Sequence, residues 1–218
     1  GLGDVYKRQT YKLMHTRHAG NTPSMSGFGM QFFTYDYNGE HVLEHYGSLN
    51  FRSMEFFMLD KKVGVFVAFG GGGEPRGEAV PAGGAAIAPI DGPVMPALSH
   101  SGVRALVLEH FLGKLPFDKN MQVDVSKYIG VYHSIPAAGG DKPGGQGMKV
   151  EAAAEGNALV IAGVGPYRPS GPDTFTLDGA LPLEAGFRDS NKWVFVSDGQ
   201  TMRMFEHINA GGLERDAQ

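Results

Sequence analysis

Runs of apolar and aromatic residues separated by short polar turns recur between Met30 and Phe69. Met30–Tyr37 is rich in aromatics and Thr and reads as a strand. Asn38-Gly39 follows it, the strongest short hairpin signal in the sequence. Glu40–His45 returns as a second strand, and Phe51–Leu59 and Val63–Phe69 read as two more, joined by Asp60-Lys61-Lys62. Four strands with tight connections predict an antiparallel meander. Tyr11–His18 reads as the end of a helix broken at Asn21-Thr22-Pro23. After the Gly/Pro/Ala-rich stretch from Gly70 to Pro96, period 3.6 takes over. Val103, Leu106, Val107, His110 and Phe111 then share one face of a helix over Ser99–Leu112. Ser99 or Ser101 is placed to cap its start and Gly113 its end.

Leu115-Pro116-Phe117 marks a boundary, and short β units follow it. The pattern predicts strands over Tyr128–Ser134, Met148–Glu155, Ala158–Ala162, Thr174–Leu177, Leu183–Arg188, Lys192–Ser197 and Thr201–His207. Pro136–Gly147 reads as a loop. Strands this short and this closely spaced suggest a small barrel or sandwich. Tyr132, Phe175, Phe187, Trp193 and Phe205 are expected to fill its core rather than bind a ligand.

The chain has 218 residues, with 19 Lys+Arg against 23 Asp+Glu. That balance offers no basic surplus for a nucleic acid or an anionic membrane. The longest clean apolar run, Val63–Phe69, is far short of the roughly 20 residues of a membrane-spanning helix. Cys is absent, so disulfides, thiolate metal sites and a Cys nucleophile are excluded. Asp4-Val5-Tyr6-Lys7-Arg8-Gln9 is what the transposon mosaic end of sequencing adapters encodes. Residues 1–9 are therefore expected to be non-native, with natural sequence beginning near Thr10.

Several chemistries are excluded by pattern. His41 and His45 lie four apart on a strand, a span of roughly 13 Å, too far to share one ion. No metal or cofactor is expected. Gly70–Gly73 ends a strand but lacks the Gly-Lys-Ser/Thr of a phosphate loop. No Ser sits in Gly-x-Ser-x-Gly, and none has Lys three residues on.

One window stands out. Gly27-Phe28-Gly29 is followed by His45-Tyr46-Gly47-Ser48, then by Asn50-Phe51-Arg52-Ser53, then by an apolar strand after the charged Asp60-Lys61-Lys62 turn. In order and spacing this resembles the C-terminal part of the serine β-lactamase-like family, which includes penicillin-binding proteins, class C β-lactamases and related esterases. The family's H-x-G matches His45-Tyr46-Gly47. Two departures concern the loops: Asn50-Phe51-Arg52-Ser53 lacks the Gly that usually precedes the Phe, and glycines replace the Asn common after the last strand. Tyr128-Ile129-Gly130-Val131-Tyr132 opens a second region similar to the lipocalin-like barrel often appended to such hydrolases.

The resemblance implies an α+β chain. Residues 10–117 would be a partial antiparallel sheet with a C-terminal helix, 118–210 a small all-β barrel, and 211–218 a tail. It implies His45, Gly47 and Ser48 as catalytic residues, with the Ser48 N–H as an oxyanion donor and Gly47 leaving room for substrate. Tyr46 and Asn50 would contact a small-molecule or peptidoglycan-like substrate. The family's nucleophile motifs are expected upstream, so the chain reads as an inactive fragment of an extracytoplasmic hydrolase acting on an amide or ester through an acyl-enzyme. A non-catalytic cell-wall- or ligand-binding module of the same fold is the alternative.

Overall fold

Strands dominate the fold. The structure, a computed structural model, describes residues 7–20, 22, 25–48, 51–70, 100–135, 144–182, 190–206 and 212–215. Six strands form one antiparallel sheet in chain order: β1 (Ala19–Gly20), β2 (Gly27–Phe28), β3 (Phe33–Tyr37), β4 (Glu40–Ser48), β5 (Phe51–Met58) and β6 (Val63–Gly70). The β3–β4 hairpin turns at Asn38 and Gly39, both with positive φ, as a two-residue turn requires. The Asn38 side-chain amide also reaches the Leu112, Gly113 and Lys114 carbonyls at 3.0, 3.1 and 3.0 Å. Those oxygens lie at the end of helix α2 (His100–Leu112), where backbone acceptors are otherwise left over.

The faces of the sheet are set by register. Tyr35, Val42, Met54, Phe56 and Met58 are buried toward α2, packing with Leu108 and Leu115. The opposite face is bordered by helix α1 (Arg8–His15). Phe32 meets both His15 and Phe57 edge-on, and His41 Nε2 lies 3.0 Å from the His15 carbonyl. Arg8 and Gln9 of this helix belong to the segment expected to be non-native.

The second unit is a closed eight-stranded barrel. Its strands are β7 (Gly130–Ser134), β8 (Gly144–Ala152), β9 (Leu159–Ile161), β10 (Val164–Gly171), β11 (Thr174–Leu177), β12 (Lys192–Ser197), β13 (Met202–Glu206) and β14 (Gly212–Arg215). Every pairing is antiparallel, and β14 closes the ring against β7. Eight strands leave an interior just wide enough for side chains to fill. Tyr132, Tyr167, Phe175, Trp193 and Phe195 fill it, joined by Tyr128 from a 3-10 turn at Val125–Tyr128. The Tyr132 hydroxyl donates to the Tyr128 carbonyl at 2.7 Å and the Tyr167 hydroxyl to the Ser190 carbonyl at 2.7 Å, so the buried phenols are satisfied.

The α+β expectation is corrected. Among the described residues there are fourteen strands and two short helices, of eight and thirteen residues, so the chain is mainly β and not a helix-rich β-lactamase-type fold. Both helices read from the sequence are present, at Arg8–His15 and His100–Leu112, but they are short beside fourteen strands. β14 also lies within the residues assigned to a tail after 210. The expected strand Leu183–Arg188 and the core position Phe187 lie outside the described residues. The buried face of α2 differs too: Arg104, Ala105 and Leu108 are buried, whereas Leu106 and Phe111 are exposed. Arg104 turns inward because a carboxylate waits there, which a hydrophobic period cannot register.

Candidate functional site

The site is built on β4 where this strand outruns its neighbour. β3 pairs with β4 from Tyr37↔Glu40 to Phe33↔Glu44 and ends there. β4 continues to Ser48 beside β5, with the pairs His45↔Glu55, Gly47↔Ser53 and Ser48↔Arg52. On the β3 side, no described strand lies against His45 or Gly47. His45-Tyr46-Gly47 thus begins where the sheet steps down from two neighbours to one.

Period two separates these residues by face. His45 and Gly47 point away from α2, and His45 is exposed. Tyr46 points the other way. It is half-buried and stacks on Phe33 with ring centroids 5.3 Å apart and planes 2° apart, at the edge of the α2-facing core. The structure therefore places Tyr46 on the opposite face from His45 and Gly47, as a packing residue. Ser48 ends β4, which positions its backbone; Asn50 lies outside the described residues. A Cβ at Gly47 meets a single described group, the Ser53 Oγ at 3.1 Å.

Pattern reading missed the ion pair behind this strand. Glu44, next to His45, points toward α2 and is 1% exposed. Its Oε1 accepts from Arg104 Nη1 at 2.8 Å and its Oε2 from the Tyr35 hydroxyl at 2.8 Å. Ser101 Oγ lies 3.5 Å from Arg104 Nη2. Burial works against the Arg104 charge, but Glu44, Tyr35 and Glu206 of the barrel more than compensate, and the guanidinium is held above its ordinary range. For Tyr35, burial first and the Glu44 carboxylate second push the phenol far up, so it stays a donor. Two charged groups inside an apolar layer are tolerated only with partners of this quality. Only the placement of Glu44 inside a strand that also carries Val42 and Leu43 hinted at it.

Two other described histidines are engaged elsewhere. His41 Nδ1 lies 3.2 Å from Asp36 Oδ1, and His18 Nε2 lies 2.7 Å from the Leu13 carbonyl. Among the described residues, no three His, Asp or Glu side chains gather to hold a metal ion. No described helix is long and apolar enough to cross a membrane. No family model matches the chain, and neither a curated protein nor a solved structure matches it.

Chemically, the described residues offer a stretch of strand without a neighbour on one side, with one small residue, one exposed imidazole and a back anchored through Glu44. An extended amide or ester lying alongside could add to the sheet as another strand does, with backbone hydrogen bonds giving affinity and the side chains choosing the occupant.

Proposed function

We propose that β4 beyond Glu44 is the substrate-docking strand of a serine acyl-transfer hydrolase that acts on an amide or ester outside the cytoplasm. The observation that supports this most is the end of β3 opposite Glu44, beyond which no described strand lies against the H-x-G-S segment on that side. Substrate would lie beside Gly47, where among the described residues the Ser53 hydroxyl alone crowds an added side chain. The Ser48 N–H would then donate to the carbonyl oxygen as it gains charge, the usual largest electrostatic contribution to acyl transfer. His45, exposed on the same face as Gly47, would orient the substrate or the base. The sequence holds no Ser with Lys three residues on, so the nucleophile and its base are assigned to residues outside these 218.

The test has two arms. The 218-residue chain should not turn over nitrocefin or p-nitrophenyl acetate above an albumin control. A longer chain from the same reading frame should be labelled by a fluorophosphonate at a serine outside this sequence. Steady turnover by the 218-residue chain, or no labelling of the longer one, would overturn the proposal.

A further inference from the structure

We infer that this strand selects amide substrates with a large apolar side chain two residues beyond the carbonyl that is attacked; the inference rests on the docking proposal above. It starts from the direction of the backbone groups. Across the two-residue turn at Asn38-Gly39, Tyr37 and Glu40 close the β3–β4 hairpin as a hydrogen-bonded pair. Main-chain groups alternate sides along a strand, so those of Val42, Glu44, Tyr46 and Ser48 also point to the β3 side, and those of His41 and His45 to the β5 side. The Leu59 N–H, just past β5, donates to the His41 carbonyl at 3.3 Å, as that alternation requires. Beyond Glu44, where no described strand continues β3, Tyr46 and Ser48 therefore turn their N–H groups to the docking side. A chain docked antiparallel, with its attacked carbonyl on the Ser48 N–H, places that carbonyl's residue opposite Ser48. Its second residue onward then falls opposite Tyr46. Directly opposed residues in an antiparallel pair share a face, with Cβ atoms about 5 Å apart. The side chain opposite Tyr46 thus lies on the α2 face, one strand from Tyr46 and next in line after Phe33.

What it meets there is aromatic. Phe33 stacks on Tyr46 with ring centroids 5.3 Å apart, and Phe28 lies against Phe33 at 5.0 Å. Phe33 and Tyr46 are half-buried and Phe28 is exposed, so the row runs from solvent to the docking line. The carboxylates on this face of β4 are both engaged. Glu44 is held by Arg104 and Tyr35, and Glu40 Oε1 accepts from the Asp60 and Lys61 N–H groups at 2.7 and 3.1 Å. β3 and β4 carry no Lys or Arg. A carboxylate side chain brought there would lose water and meet no cation of these strands, whereas an aromatic one would bury area against two rings. Phe opposite Tyr46 should be favoured over Ala by about tenfold.

The experiment titrates the 15N-labelled 218-residue chain with three capped tripeptides: acetyl-Gly-Gly-Phe-amide, acetyl-Gly-Gly-Ala-amide and acetyl-Gly-Gly-Glu-amide. Amide shifts of Tyr46 and Ser48 are followed in the wild type, Phe33→Leu and Tyr46→Leu. The expected order of affinity is Phe over Ala over Glu, and each variant should narrow the gap between Phe and Ala. The wild-type order decides on its own where a variant does not fold. The Ala or Glu peptide binding as tightly as the Phe peptide, or a gap unchanged in both variants, would overturn the selection and leave docking at β4 standing. No shift at Tyr46 or Ser48 with any of the three would overturn both.

Discussion

Glu44 and His45 are neighbours in sequence and face opposite sides of the sheet. One is locked and the other is open. The Glu44–Arg104 pair is almost fully enclosed, so removing one partner strands a buried charge. Arg104→Met should cost about 3–5 kcal/mol in urea melts. Adding Glu44→Leu to Arg104→Met should recover part of that and not all, because buried Glu206 also faces Arg104. Full recovery by the double variant would show that Glu206 takes no share. At the barrel, the Asp173 carboxyl is held below its ordinary range, first by Lys127, whose Nζ lies 2.8 Å away, then by the Tyr128 hydroxyl at 2.6 Å. A depressed carboxyl stabilises the fold above its unfolded pKa, and the contribution is lost as pH falls through the folded value. The pair is half-exposed, so its worth is roughly 0.5–1 kcal/mol. The melting-temperature gap between wild type and Asp173→Asn should be present at neutral pH and close in strong acid. A gap that widens in acid would contradict this assignment.

The β3–β4 hairpin and the four main strands of the sheet follow from alternation and from Asn38-Gly39. The element the site depends on was half legible. The H-x-G-S order marks β4, but a strand running past its neighbour is a fact of register between two segments, visible in neither alone. The opposition of His45 and Glu55 is hidden for the same reason. β10 escaped because Pro166 and Pro169 read as strand breakers; the register shifts on both sides of Tyr167 let the ladder pass them. β14 escaped because Gly212–Arg215 is short and ends in two charges. Tyr46 sits in the same tripeptide as His45 and Gly47, yet period two turns it toward Phe33. That separation carries a prediction for the element. Tyr46→Ala should lower stability by about 2 kcal/mol or more through lost packing, whereas Gly47→Ala, crowding a single hydroxyl, should cost less than about 1 kcal/mol. Equal losses in thermal melts would mean that the two residues do not lie on different faces.

Sheet and barrel meet through both apolar and polar contacts. Met25 packs with Val194 and Phe205, Ala105 of α2 joins the barrel's core cluster, and the Asn191 amide donates to the Tyr37 hydroxyl at 3.3 Å. Arg104 is bonded to the carboxylate that anchors β4 and is also favoured by the charge of Glu206 on β13, so the barrel backs the strand proposed to dock substrate. The closed ring carries its own core, so residues 118–218 alone should melt cooperatively, at a lower temperature than the full chain because Val194, Phe205 and Asn191 lose their cover. The sheet unit alone should lose cooperativity. A cooperative melt of residues 10–117 alone would contradict the second expectation. The central claim concerns the open stretch of β4, and one rate measures it most directly. In a longer chain that carries a reactive serine, the fluorophosphonate labelling rate of Gly47→Val should fall roughly a hundredfold, more than any change in its melting profile accounts for, since a branched side chain displaces the probe's phosphoryl oxygen from its donor. A wild-type labelling rate in Gly47→Val would show that substrate does not dock there.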